Sequence, residues 1–195
     1  MPIKSATFIT GLLTCLLLLV LSPAHARETN GIDFPDQLSL GNRTLVLNGT
    51  ATREVFGIHV YAAGLYVSKS TGDAGEIMNR NDDPKRLRIV MLRDVGEDKF
   101  ASAARDNIAR NFSDAEKTRF SGDFDTFFKC FANGKDLVKG SEVIIDFLPN
   151  EGTVVRVGAH KLAVIPGKDF YHALLRLWIG KPLQTSMKTG LLVGK

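Results

Sequence analysis

Residues 141–165 read SEVIIDFLPNEGTVVRVGAHKLAVI, and this stretch decides the fold class. Three apolar, β-branched runs, 141–148, 153–157 and 161–165, are parted by Asn150-Glu151-Gly152 and by Gly158-Ala159. Connections this short cannot carry a crossover helix, so the runs predict antiparallel strands joined as hairpins. Their richness in Val and Ile suits a sheet with one face packed on a core.

Working outward, residues 87–92 predict another strand. Residues 43–47 predict a strand that ends on Asn48-Gly49, a strong hairpin-turn dipeptide. Residues 50–67 predict one long bent strand or two strands, with Gly57 and Gly64 as bends or bulges. Residues 27–35 read as a loose leader. Three helices interleave with the strands. The first, 96–112, opens on Glu97 and Asp98 and repeats Phe100, Ala104, Ile108 and Phe112 at fours. The second starts at Ser113, with Glu116 completing a capping box, and carries Phe120, Phe124, Phe127, Phe128 and Phe131. The third, 169–178, presents Phe170, Ala173, Leu174 and Leu177 to the core, and a shorter helix is expected around 73–78. The pattern is α+β: a large, mostly antiparallel sheet with helices on one face. The phenylalanine stripe reads as core. Helices laid over one sheet face also leave room for an apolar cleft, the usual form of a small-molecule site.

The N-terminus reads as a segment apart. Lys4 is followed by a leucine-dense run over 11–21, then Ser22, Pro23 and Ala24-His25-Ala26. A basic start, a short apolar run and a small-x-small site make a secretory signal. The run is shorter than the ~20 residues that span a bilayer. Cleavage after Ala26 is expected, leaving residues 27–195 as one periplasmic or secreted domain with no transmembrane segment. Removing Lys4 with the signal leaves 24 Lys and Arg against 21 Asp and Glu. These charges are interleaved and form no basic block, so nucleic acid is not an expected partner. Cys15 leaves with the signal as well, and Cys130 remains as a buried apolar thiol without a disulfide partner. A monomer is expected.

The usual catalytic signatures are missing. His59, His160 and His172 show no metal-ligand spacing, and no Gly-x-Ser-x-Gly elbow or phosphate-cradling glycine loop occurs. No metal and no cofactor are expected. Two residues do sit oddly. Arg43 shares a strand face with Leu45 and Leu47, so at the edge of an apolar face it needs either a protein carboxylate or an anionic ligand. Asn107 lies seven residues after Phe100, on the same helix face. It is either a core-edge amide satisfied by backbone or a polar group aimed into a cleft.

The segments 41–49, 56–67, 99–107 and 177–192, with Phe56-Gly57, Val60-Tyr61, Gly64-Leu65-Tyr66 and Trp178-Ile179-Gly180 among them, resemble the chalcone isomerase-like family, in particular its bacterial exported members. The resemblance implies an open-faced β-sandwich with a ligand cleft between sheet and helices. In the family's enzymes an arginine, a strand threonine, a helix tyrosine and asparagine, and a late Thr or Ser act on a chalcone. Non-catalytic relatives hold a fatty acid's carboxylate through the arginine. By that likeness the arginine falls on Arg43, the asparagine on Asn107 and the late hydroxyl on Thr185. The strand threonine falls on Phe56 or Val55, and the tyrosine on Phe100. With two hydroxyls replaced by apolar rings, a non-catalytic protein binding a small apolar carboxylate such as a fatty acid is expected. The alternatives are an isomerase or lyase of enones using Tyr61 or Tyr66 as its hydroxyl, and a structural protein with a filled cleft.

Overall fold

The computed structural model describes residues 26–131 and 137–194, apart from the side chains of residues 97, 98 and 101. The signal expected over 1–26 therefore lies outside the described residues except for Ala26. Seven strands form one sheet in strict sequence order, every neighbouring pair antiparallel. They are β3 (Gln37–Leu40), β4 (Arg43–Val55), β5 (Ile58–Val67), β6 (Lys85–Met91), β7 (Glu142–Leu148), β8 (Gly152–Val157) and β9 (His160–Ile165). The last three are the meander expected from 141–165. Residues 27–35 are not loose: β1 (Ala26–Thr29) and β2 (Ile32–Pro35) make a separate hairpin. Asn30 and Gly31 turn it, both at positive φ (52° and 76°), the geometry an Asn-Gly turn supplies cheaply.

The two faces of the sheet are covered differently. One carries the main core, where the aliphatic rows of β5 to β8 meet α1 (Ala74–Asn79), α2 (Glu97–Asn111), α4 (Ser121–Lys129), α5 (Asp169–Ile179) and α6 (Thr185–Leu191). The other is capped by the β1–β2 hairpin through Phe34, which packs with Leu45, Leu47, Ala62 and Tyr66. Gly64 is not a bend but a regular strand position, and a Cβ there would lie 2.5 Å from the Phe34 ring. The phenylalanines are core as expected, with Phe124 edge-on to Phe112 and Phe170. The expected second helix is two: α3 (Asp114–Arg119) and α4 part at Phe120. The Ser113–Glu116 capping box is present, and Glu116 also accepts from Arg176 of α5, which holds its carboxyl down to about 2.

Asn48-Gly49 does not turn the chain. Both residues lie inside β4, at a bulge where the register passes from Leu47↔Tyr66 to Gly49↔Leu65. The buried Asn48 amide donates to the Leu191 carbonyl at 2.7 Å and accepts from Thr71 N at 2.8 Å. An extra residue in one strand reverses the sense of alternation beyond it. Leu45 and Leu47 therefore face the hairpin, whereas Ala51 faces the helices. The true β4–β5 turn is Phe56-Gly57, at φ 49° and 75°.

Lys85 and His172 are expected to make stability depend on pH. Lys85, 1% exposed, donates to the Arg80 and Asp83 carbonyls and lies 3.4 Å from His172 Nε2 on α5. Burial, then the Lys85 charge, hold the imidazole down to about 4 from its ordinary 6.5. A base whose folded pKa is depressed takes up its proton more readily when unfolded, so stability is lost as pH falls from about 6.5 towards 4. Thermal melts at stepped pH should show the midpoint dropping through that window, with a shallower slope in His172→Gln. Parallel slopes for the two proteins would disprove this role for His172.

Candidate functional site

The reversed alternation beyond the bulge sets the site. Arg53 shares the helix-facing side of β4 with Ala51, directly opposite Tyr61 of β5. Over this pair pass α2, bringing Phe100 and Asn107, the end of α5, bringing Leu177 and Trp178, and the segment into α6, bringing Leu183 and Gln184. Together they enclose a recess of about 80 Å³. It opens into a mouth of about 480 Å³ bounded by Val55, Ile58, Val60, Met91 and α2. Arg53, Tyr61 and Phe100 line both spaces and so mark their junction. The mouth is within the ~300–1,000 Å³ typical of ligand pockets, and the recess is below it.

The polar groups at the junction are few and oriented. Arg53 Nη1 donates to Gln184 Oε1 and to the Glu54 carbonyl, each at 3.1 Å. Gln184 is itself pinned, accepting from Glu54 N at 2.8 Å and donating to the Thr52 carbonyl at 3.1 Å. Arg53 has no carboxylate partner among the described residues, and its Nη2 and Nε donate to none of them. The Tyr61 oxygen accepts from Trp178 Nε1 at 3.1 Å, which leaves its own O–H to donate. Burial raises the Tyr61 pKa, partly offset by the Trp178 hydrogen bond and the Arg53 charge. The phenol therefore stays protonated near neutral pH. A half-buried guanidinium beside a neutral phenol, above an apolar recess, suits a carboxylate.

The residues singled out from the sequence fall in several places. Phe100 lines the recess, its ring 4.6 Å from that of Phe131. Asn107 also lines it, but its amide donates to the Leu177 carbonyl at 2.7 Å and its oxygen accepts from Asn111 at 3.1 Å. It fastens α2 to α5, the core-edge alternative. Arg43 is not in the cleft. It begins β4 on the hairpin side of the bulge, exposed, beside a separate depression with Asn42, Asp82 and Glu151. Thr185 opens α6 and is exposed, and its neighbour Gln184 takes the place in the wall. Phe56 reaches only the outer rim of the mouth, and so does Val55. Of the two hydroxyls the isomerase alternative named, Tyr61 is in the cleft, whereas Tyr66 is buried under the hairpin. Arg53, Gln184 and Trp178 were missed. Counting back from Phe56-Gly57 would have set Arg53 opposite Val60; it faces Tyr61 because the register shifts again between Arg53 and Glu54, which no local pattern shows.

Among the described residues no group of three or more His, Cys, Asp or Glu is placed to hold a metal ion. No helix among them is long and apolar enough to cross a membrane. No curated protein matches the chain. Among solved structures it is similar to a fatty-acid binding protein of Arabidopsis thaliana, at 17% identity and a TM-score of 0.60, covering 86% of this chain and 95% of that one. At that identity the likeness concerns the fold. The model of chalcone isomerase-like proteins matches residues 26–193, and the chain belongs to that family.

Proposed function

We propose that this protein binds an apolar carboxylate of the fatty-acid class, with the carboxylate at Arg53 and Tyr61. The observation that carries the reading is Arg53: a half-buried cation at the cleft junction, with donors to spare and no carboxylate of its own among the described residues. An unpaired charge in such a place is costly and gains most from an anionic ligand. The apolar surfaces of Val60, Met91 and Val95 continue outward from it and supply a bed for the tail. The solved relative named for fatty-acid binding shares the fold and supports the ligand class.

Trp178 is the chain's one tryptophan and is hydrogen-bonded to Tyr61, so its fluorescence reports the junction. Titration with fatty acids of increasing chain length should give a saturable change. The absence of any change, with no heat of binding by calorimetry, would dismiss the reading. The enone-isomerase alternative retains the Tyr61 hydroxyl as its one supporting feature. The same titration separates the two, since a chalcone would be consumed and a carboxylate would not.

We also propose that residues 1–26 are a signal removed on export, so that the working protein begins at Arg27. N-terminal sequencing of the protein from the exported fraction should begin at Arg27. A chain retained with Met1 in the membrane fraction would contradict this. Ala26 pairs with Pro35 at the open end of the β1–β2 hairpin. Cleavage there spares the Arg27↔Phe34 pairing and with it the seating of Phe34.

A further inference from the structure

Phe56 breaks two local rules at once. It is 100% exposed, the largest apolar side chain offered to solvent among the described residues. It also stands at φ 49°, a region that bulky residues avoid and that an Asn or Gly at the first position of this turn would occupy cheaply. Its neighbours add to the anomaly, with Val55 37% and Ile58 49% exposed. A strained, exposed aromatic invites a functional explanation.

The surroundings say what fits it. Below the tip comes a charged collar. Glu54 and His59 face each other at 3.6 Å across the hairpin. Arg93 and Lys99, exposed on the rim of the same mouth, have no carboxylate partner among the described residues. Of the acidic groups on that rim, Asp94 accepts from Lys139 N at 2.7 Å and Asp106 is solvated. An apolar wedge above free cations has the layering of a membrane interface: acyl chains, then headgroup phosphates. The wedge also stands at the opening of the cleft.

We infer that the β4–β5 hairpin tip is a bilayer-docking element, in which Phe56, Val55 and Ile58 enter the acyl boundary while Arg93 and Lys99 meet lipid phosphates. The part of this that concerns delivery rests on the carboxylate-binding reading, because a fatty acid dissolved in the bilayer would then meet the cleft mouth directly. The docking itself stands on the tip and its collar.

The test is flotation with vesicles of phosphatidylcholine containing a minor fraction of phosphatidylglycerol and no fatty acid. Wild type, Phe56→Asn and Arg53→Ala are prepared identically, with the same N-terminus. Phe56→Asn restores Asn-Gly to the turn, so its melting midpoint should equal or exceed that of wild type, and a folding defect cannot explain its behaviour. Its vesicle partitioning should fall roughly tenfold or more. Arg53→Ala should still float, which keeps this outcome separate from any failure of carboxylate binding. Equal flotation of wild type and Phe56→Asn overturns the inference, as does no flotation of wild type. It is also overturned if wild type is a dimer by sedimentation equilibrium and Phe56→Asn a monomer, which would make the tip a contact between copies.

Discussion

Gly49→Ala is expected to destabilise the protein by about 3 kcal/mol or more, the upper range for overpacking a rigid site. A Cβ at Gly49 would lie 2.2 Å from the Gly190 carbonyl oxygen and 2.8 Å from that of Leu191. Neither is the end of a flexible side chain. Both belong to the backbone of α6, whose last turn is pressed onto the β4 bulge and fastened there by Asn48. Gly190 answers in kind, since its own Cβ would sit 2.6 Å from the Thr50 carbonyl. The strand and the helix thus meet through two glycines, and a methyl on either separates them. Because the segment entering α6 supplies Leu183 and Gln184 to the cleft wall, the damage should reach the site as well. Denaturant melts read the stability, and Trp178 fluorescence reads the cleft. A loss under about 1 kcal/mol would mean that α6 slides freely on β4, contrary to the packing described.

The same glycine explains much of what the sequence hid. Among the described residues Asn-Gly occurs at 30–31 and at 48–49. The first turns a hairpin, and the second bulges inside a strand. Local propensity is equal in the two. The difference lies in Leu191 and Thr71, whose backbone groups bind the Asn48 side chain from distant parts of the chain. No local reading reaches those partners. The error then propagates, because a single bulge reverses every side chain after it. Alternation counted from Leu45 correctly groups Arg43 with Leu47, but that face belongs to the hairpin and not to the helices.

What survives is what depends on period and on short connections. The 141–165 meander, the core role of the phenylalanine stripe and the Ser113 capping box all follow from neighbours in sequence. The helices over one face follow from the same patterns. Phe100 and Asn107 were placed on the right face of α2 because helical spacing is indifferent to the strand register. The hairpin over 26–35 was missed because its strands have four residues each, too short for alternation to stand out. The short helix α6 was missed for a related reason. Its sequence TSMKTGL carries a single turn of pattern, and it is held by tertiary contact with β4.

Arg53→Ala is expected to weaken binding of a long-chain carboxylate by ten- to hundredfold, the equivalent of a charge-assisted contact worth roughly 1.5–3 kcal/mol. The fold should scarcely notice. Among the described residues Arg53 bonds only to the neutral Gln184 amide and to the Glu54 carbonyl, and Gln184 keeps its bonds to Glu54 N and Thr52 when the guanidinium is gone. No buried carboxylate is left stranded, so the penalty of about 3–5 kcal/mol for breaking a buried ion pair does not arise. The contrast with Asp146 makes the point. That carboxylate, fully buried, is held by Arg86 at 2.6 Å and Arg156 at 2.6 Å, and those arginines are structural. Arg43→Ala is the matched control: it removes a cation of the same strand that lies outside the cleft, and affinity should not change. Titration of the three proteins through Trp178, with melts alongside, tells the cases apart. A fall in affinity confined to Arg53→Ala places the carboxylate at the junction with Tyr61. Equal affinity in all three would remove Arg53 from the site, and a fall confined to Arg43→Ala would move the ligand to the far end of β4.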